Sequence, residues 1–138
     1  MDKLYIDCNI LIDWLTDRQP FSIYANRLLT LIEKRLVIGI VSPLTLSNTY
    51  YIIRKHTNNK IANEFLNDAK ILFDILDITK ALTISAIENK HKDFEDDLHY
   101  YTAIENKLNF IITRNKKNFL HDKIKIMTAE EYLLLNIQ

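Results

Sequence analysis

Short apolar runs alternate with amphipathic helical stretches along this chain, and that alternation limits what it can fold into. Leu4–Ile6, Val37–Val41, Asn109–Ile112 and Ile124–Ile126 read as strands of the buried type, and a further strand is expected within Ile71–Ile78. Helical spacing of apolar residues predicts helices around Ile10–Leu15, Phe21–Lys34, Pro43–Lys55, Ile61–Lys70, Lys80–Glu88, Phe94–Lys107 and Ala129–Leu135. Asp7, Ser42, Thr79 and Thr128 stand where each can cap a following helix. Strands without polar alternation are buried on both faces, and strands separated by helices pair in parallel. The expected fold is therefore a three-layer α/β/α arrangement around a central, mainly parallel sheet.

Length and composition agree with one such unit. The 138 residues suit a single domain spanning 1–138, and 48% hydrophobic with 26% charged residues argues against disorder. No apolar run is long enough for a spanning helix, and no basic-then-apolar leader opens the chain, so neither a membrane nor a signal peptide is expected. Cys8, the lone cysteine, cannot form an internal disulfide; a reducing cytoplasm is compatible with that. Cys8 itself reads as a small core residue. With one glycine there is no glycine-rich phosphate cradle, and with a net charge of zero any affinity for nucleic acid must come from local clustering.

In open parallel sheets ligands bind beyond the carboxyl ends of the strands. Asp7, Ser42 and the loop Thr113–Asn118 each follow a predicted strand, so they should share one edge. Asp93, Glu95, Asp96 and Asp97 open the helix from Phe94, and a helix start can reach the same edge. Two arrangements make such a cluster tolerable. One is a helix N-terminus, with Asp93 as cap and Asp96 three residues on. The other is a hard cation such as Mg²⁺ or Mn²⁺, which prefers carboxylate and carbonyl oxygens and can activate water against a phosphodiester. Phe94, Leu98, Tyr101 and Leu108 read as the apolar face, with Asp96 on the side of Ala103. Asn9 and Asp13 share a helix face four residues apart, where a solvated or capping role suits Asp13. Arg114, Lys116 and Lys117 lie in the most basic part of the chain and read either as phosphate contacts or as a solvated loop. Tyr50, Tyr51, Tyr100 and Tyr101 read as core. Trp14 reads as core or as an anchor for a partner.

Four segments, in this order, resemble the PIN-domain family: Tyr5–Asp13, Val41–Tyr51, Asp93–Tyr100 and Phe110–Phe119. The resemblance implies an α/β/α domain whose acids bind Mg²⁺ or Mn²⁺ and which hydrolyses phosphodiester bonds, usually of RNA. Many bacterial members resemble the ribonuclease toxins of toxin–antitoxin pairs, which implies an antitoxin protein and, commonly, a homodimer. Asp7 matches the first acid and Asp96 the acid at the start of the later helix, which makes them the implied metal ligands. Two further positions that are often acidic hold Asn48 and Asn115 here. Asparagine can coordinate through its carbonyl but neutralises nothing, so fewer charges face the cation. Asp13, Asp93, Glu95 and Asp97 are the acids available to make up the shortfall. In the implied mechanism Asp7 and Asp96 hold the metal, Asn115 supports its coordination, and Asn9 and Thr113 orient water or phosphate oxygens. Thr113 reads equally as a turn residue, and Asn48 as an outer support. The alternative is a weakened PIN-like module that binds RNA or protein without cutting. A response-regulator-like domain, phosphorylated on Asp7, is a more distant third.

Overall fold

A computed structural model describes residues 1–91 and 93–135 of the chain. Its elements run β1 (Lys3–Ile6), α1 (Cys8–Thr16), α2 (Ser22–Glu33), β2 (Ile38–Val41), α3 (Pro43–His56), α4 (Asn59–Leu72), β3 (Asp74–Ile75), α5 (Lys80–Glu88), α6 (Phe94–Glu105), β4 (Phe110–Ile112), a 3-10 turn (Lys116–Asn118), β5 (Lys125–Met127) and α7 (Ala129–Leu135). The expected α/β arrangement with a parallel sheet is the one observed. All four strand pairings are parallel, in the order β3-β2-β1-β4-β5.

Alternation along β1 divides the interior. Leu4 and Ile6 point to one side, into a core completed by Val41 and Ile112 and by residues of α1, α2, α4 and α7. Tyr5 points to the other, where Ile40, Ile111 and Ile126 meet Tyr100 and Ala103 of α6. Successive strand side chains face opposite ways, so a run buried at every position needs helices on both faces. Gly39 of β2 lies where α2 and the residue after α4 approach most closely: a Cβ there would sit 2.8 Å from both Ile32 Cδ1 and Phe73 Cδ1. The only side chain with room at this point is a hydrogen.

The caps end up where the sequence suggests. Ser42 Oγ accepts from Thr45 N at 3.3 Å, Thr79 Oγ1 from Leu82 N at 3.1 Å, and Thr128 Oγ1 from Glu131 N at 3.1 Å, with Glu131 Oε1 returning the bond to Thr128 N at 3.0 Å. Four details differ from expectation. α4 begins at Asn59, because Asn58 caps it through Ile61 N at 2.9 Å, so the preceding loop is shorter. β3 shrinks to two exposed residues. Lys116–Asn118 close into a 3-10 turn within the basic loop. The inner face of α6 is formed by Asp97, Leu98, His99, Tyr100, Thr102 and Ala103, while Phe94 is exposed.

β1 is the centre of the sheet, and the chain leaves it toward β2 on one side and returns as β4 on the other. In open parallel sheets such a reversal marks the ligand crevice, which here falls beyond the carboxyl ends of β1 and β4. Asp7 N donates to Ile112 O at 3.0 Å, which sets Asp7 and Thr113 side by side at its mouth.

Candidate active site

Asp7 is 8% exposed and its carboxylate is held from three directions. Oδ1 accepts from Cys8 N at 2.7 Å, while Oδ2 accepts from Thr113 Oγ1 at 2.8 Å and from Asn9 Nδ2 at 3.4 Å. Thr113 also accepts from Asn9 Nδ2 at 3.2 Å and from Asn115 N at 3.0 Å. Asn9 Oδ1 accepts from Arg114 N at 3.2 Å. These bonds tie the start of α1 to the loop after β4 and fix the carboxylate's orientation. Thr113 is thus both a turn residue and a direct partner of Asp7.

The four acids at the head of α6 divide their work. Asp93 caps the helix, its Oδ1 accepting from Glu95 N at 2.8 Å. Asp97 is buried, and its Oδ2 accepts from His91 N at 2.9 Å. Asp96 and Glu95 lie in the field of Asp7. Burial first, then the hydrogen bond and charge of Asp93, then the charges of Asp7 and Glu95, push the Asp96 carboxyl from the usual 3.8 up to about 8. Asp96 therefore keeps a proton and donates it to Asp93, whose own carboxyl is lowered chiefly by that bond. Glu95 is raised by burial and by the charges of Asp93 and Asp7. Its Oε1 accepts from Asn48 Nδ2 at 2.7 Å, so Asn48 reaches the acids through Glu95. Asn115 is exposed at the head of the 3-10 turn, on the same side.

Four other residues, Asp13, Arg114, Lys116 and Tyr51, behave differently from their reading in the sequence. Asp13, expected to be solvated or capping, is 1% exposed and takes both ends of Arg114, at 2.7 Å from Nε and 3.1 Å from the terminal nitrogen. Arg114 lies over the Phe21 ring at 4.1 Å and points inward from the basic loop. A bidentate fork on an aromatic face is a geometry in which only Arg satisfies both neighbours. Lys116 is paired with Glu131 of α7 at 2.8 Å, whereas Lys117 is exposed. Tyr51 is 56% exposed, lines a pocket with Cys8, Asn48 and Glu95, and is not core. Trp14 packs partly buried against the core. Burial, with Asp7 next, pushes the Cys8 thiol up to about 12, so it stays protonated and is no nucleophile at neutral pH.

Beneath the acids lies a polar group that the sequence reading missed. Tyr5 Oη is 2.8 Å from Ser42 Oγ, 3.4 Å from Thr45 Oγ1 and 2.5 Å from His99 Nδ1, all buried. The signal was available: a tyrosine inside a buried strand and a histidine inside a buried helix face both require partners.

Among the described residues, no group of three or more His, Cys, Asp and Glu is arranged to hold a metal ion unaided. The donor set nevertheless fits Mg²⁺ or Mn²⁺. Mg²⁺ is usually held by one or two carboxylates and keeps several waters. Here Asp7 is fixed by neutral donors, and its charge, after burial and Asp93, helps hold the Asp96 carboxyl up; a cation would relieve that repulsion. No helix among the described residues is long and apolar enough to cross a membrane.

Comparison with known proteins identifies the fold and the family. The chain is 25% identical over 135 residues to ribonuclease VapC1 of Aquifex aeolicus, covering 95% of this chain and 93% of that protein. It shares its fold with the toxin–antitoxin complex from Klebsiella pneumoniae (TM-score 0.69, 22% identity, 91% of this chain and 97% of that one). DNA-bound VapBC from Salmonella typhimurium is similar (TM-score 0.69, 17% identity, 94% and 99%). The PIN domain matches residues 3–117, a span that takes in Tyr5, Asp7, Asn48, the acids of α6, His99 and the loop after β4, and the chain belongs to the PIN-domain family.

Proposed function

We propose that this protein is a metal-dependent endoribonuclease that acts in the cytoplasm as the toxin of a toxin–antitoxin pair. The observation that carries the reading is the Asp7 carboxylate locked by Thr113 and Asn9 just past β1, with Asp96 at the head of α6 within the reach of its charge. Ribonuclease activity is drawn from the VapC1 relative, and an antitoxin partner from neighbours solved as toxin–antitoxin complexes.

Asp7 and Asp96 would hold Mg²⁺ or Mn²⁺, with the Asn115 carbonyl as the nearby neutral donor. A bound divalent ion supplies charge for phosphoryl oxygens and lowers the pKa of water. Thr113 and Asn9 keep Asp7 oriented, so little reorganisation is needed when substrate arrives. Of the basic loop, Lys117 is the residue available to backbone phosphates, since Arg114 and Lys116 are engaged within the fold.

The test is RNA cleavage by purified protein with Mn²⁺ or Mg²⁺ and with EDTA. Cleavage should need the cation and fall at least 100-fold in Asp7→Asn and in Asp96→Asn. Undiminished cleavage by both variants would sink the reading. The second reading, a module that binds without cutting, draws on Asn48 and Asn115 standing at often-acidic positions. It requires salt-sensitive RNA binding with no cation binding by calorimetry.

A further inference from the structure

We propose that the pocket between α1, α3 and α6 is a nucleobase subsite, in which a guanine of the RNA stacks on Tyr51 and bonds its edge to Glu95 and Asn48. The inference deepens the proposed function and rests on its reading of RNA as the substrate. Cys8, Asn48, Tyr51 and Glu95 line an open pocket of about 410 Å³. Asn48 and Tyr51 are three residues apart on α3, so both side chains reach it from one helix face. Cys8 ties the pocket to the candidate active site, because its backbone N–H donates to Asp7 Oδ1 at 2.7 Å. A base seated there lies beside the residue next to Asp7, so the base and the phosphate under attack belong to one short stretch of strand.

The lining has the two features that hold an unpaired base. The first is an aromatic face with a cation beside it. Tyr51 is exposed, and the exposed guanidinium of Arg54 lies 6.0 Å from its ring centroid. Proteins that hold single strands stack bases on such rings and meet the backbone phosphates with neighbouring cations. The second feature is a polar wall with unused capacity. Asn48 Nδ2 donates to Glu95 Oε1 at 2.7 Å, which orients both side chains. Among the described residues, Glu95 Oε2 and the Asn48 carbonyl oxygen accept no hydrogen bond. The open positions are therefore mainly acceptors, and they favour a base edge that presents donors. Guanine presents two adjacent donors, N1–H and the 2-amino group, which match the two oxygens of one carboxylate. Adenine and cytosine present one amino group beside a ring acceptor, and uracil one N–H between two carbonyls.

Fluorescence anisotropy of labelled uridine heptamers, with the central base varied and the full chain titrated in EDTA so that no cleavage intervenes, tests this. The heptamer with a central guanine should bind about tenfold more tightly than the all-uracil one, with adenine and cytosine between them. Tyr51→Ala should weaken binding of the guanine heptamer roughly tenfold, with an unchanged far-UV circular dichroism spectrum. Glu95→Gln should bring the guanine heptamer to the level of the all-uracil one, because an acceptor becomes a donor. Equal affinity for the four heptamers, or unchanged affinity in Tyr51→Ala, overturns the subsite. Unchanged affinity together with loss of a dimer on sedimentation assigns the ring to a protein interface and overturns it equally. In either case Mn²⁺-dependent cleavage that is lost in Asp7→Asn leaves the proposed function standing. Guanine-selective binding that depends on Tyr51, without cleavage in Mn²⁺, upholds the subsite and overturns the proposed function alone.

Discussion

At the scale of the residue, the site is a problem of like charges held together. Asp7 is fixed by neutral donors, and Asp96 responds by keeping a proton that a solvated aspartate would lose. This has a consequence for stability. The unfolded chain sheds the Asp96 proton near 3.8 and the folded chain holds it to about 8. Between those values the folded state binds more protons, so this group's stabilising contribution, complete at low pH, is lost as pH rises toward 8. Asp93, lowered in the fold, acts in the opposite direction, and its contribution is lost only in acid. In EDTA the melting temperature should therefore fall from pH 5 to pH 8.5, and Asp96→Asn should flatten that fall. Saturating Mn²⁺ should flatten it as well, by favouring the ionised carboxylate. A pH-independent melting temperature in the wild-type protein would contradict this account of Asp96. The sequence revealed which residues gather here but not their directions. Glu95, Asp96 and Asp97 are successive positions on a helix, about 100° apart, and spacing alone does not say which of them faces the crevice. The structure turns Asp97 toward the backbone of His91 and brings Glu95 under the amide of Asn48.

At the scale of the element, the loop after β4 is held to α1 by an ion pair that the sequence hid. Asp13 and Arg114 are 101 residues apart, and each has a plausible role alone, one as a solvated acid and the other as a phosphate contact. Only their meeting over Phe21 makes them structural. Removing one partner of a buried pair strands the other's charge, typically at a cost of about 3–5 kcal/mol. Arg114→Gln should lower unfolding stability by that order in urea titrations. Had Arg114 served RNA instead, the same change would leave stability intact and reduce the salt dependence of RNA binding by about one phosphate contact. β1, β2 and β5 were legible as short apolar runs ending at the caps Asp7, Ser42 and Thr128, and β4 as an apolar run alone. β3 was the weak point. Its two paired residues, Asp74 and Ile75, are exposed at the sheet edge, so burial leaves little imprint on their sequence.

At the scale of the whole molecule, alternation of strands and helices foretold a parallel sheet but not its order. The order β3-β2-β1-β4-β5 puts β1 at the centre, and the crevice follows from that. Gly39 is one place where the layers specify a single residue. Gly39→Ala would force Ile32 or Phe73 aside, and overpacking of this sort costs about 1–3 kcal/mol. Thermal or urea unfolding should register that loss without a change in cation affinity, because Gly39 lies within β2, away from the acids at the strand ends. The account joins these scales in one claim, that the sheet edge brings Asp7 and Asp96 together to hold a divalent cation. A crystal soaked in MnCl₂ and measured at the manganese absorption edge tests it most directly. The account predicts an anomalous peak within coordination distance of the carboxylates of both Asp7 and Asp96. Saturating Mn²⁺ with no peak between them, or with peaks only elsewhere on the surface, would contradict it.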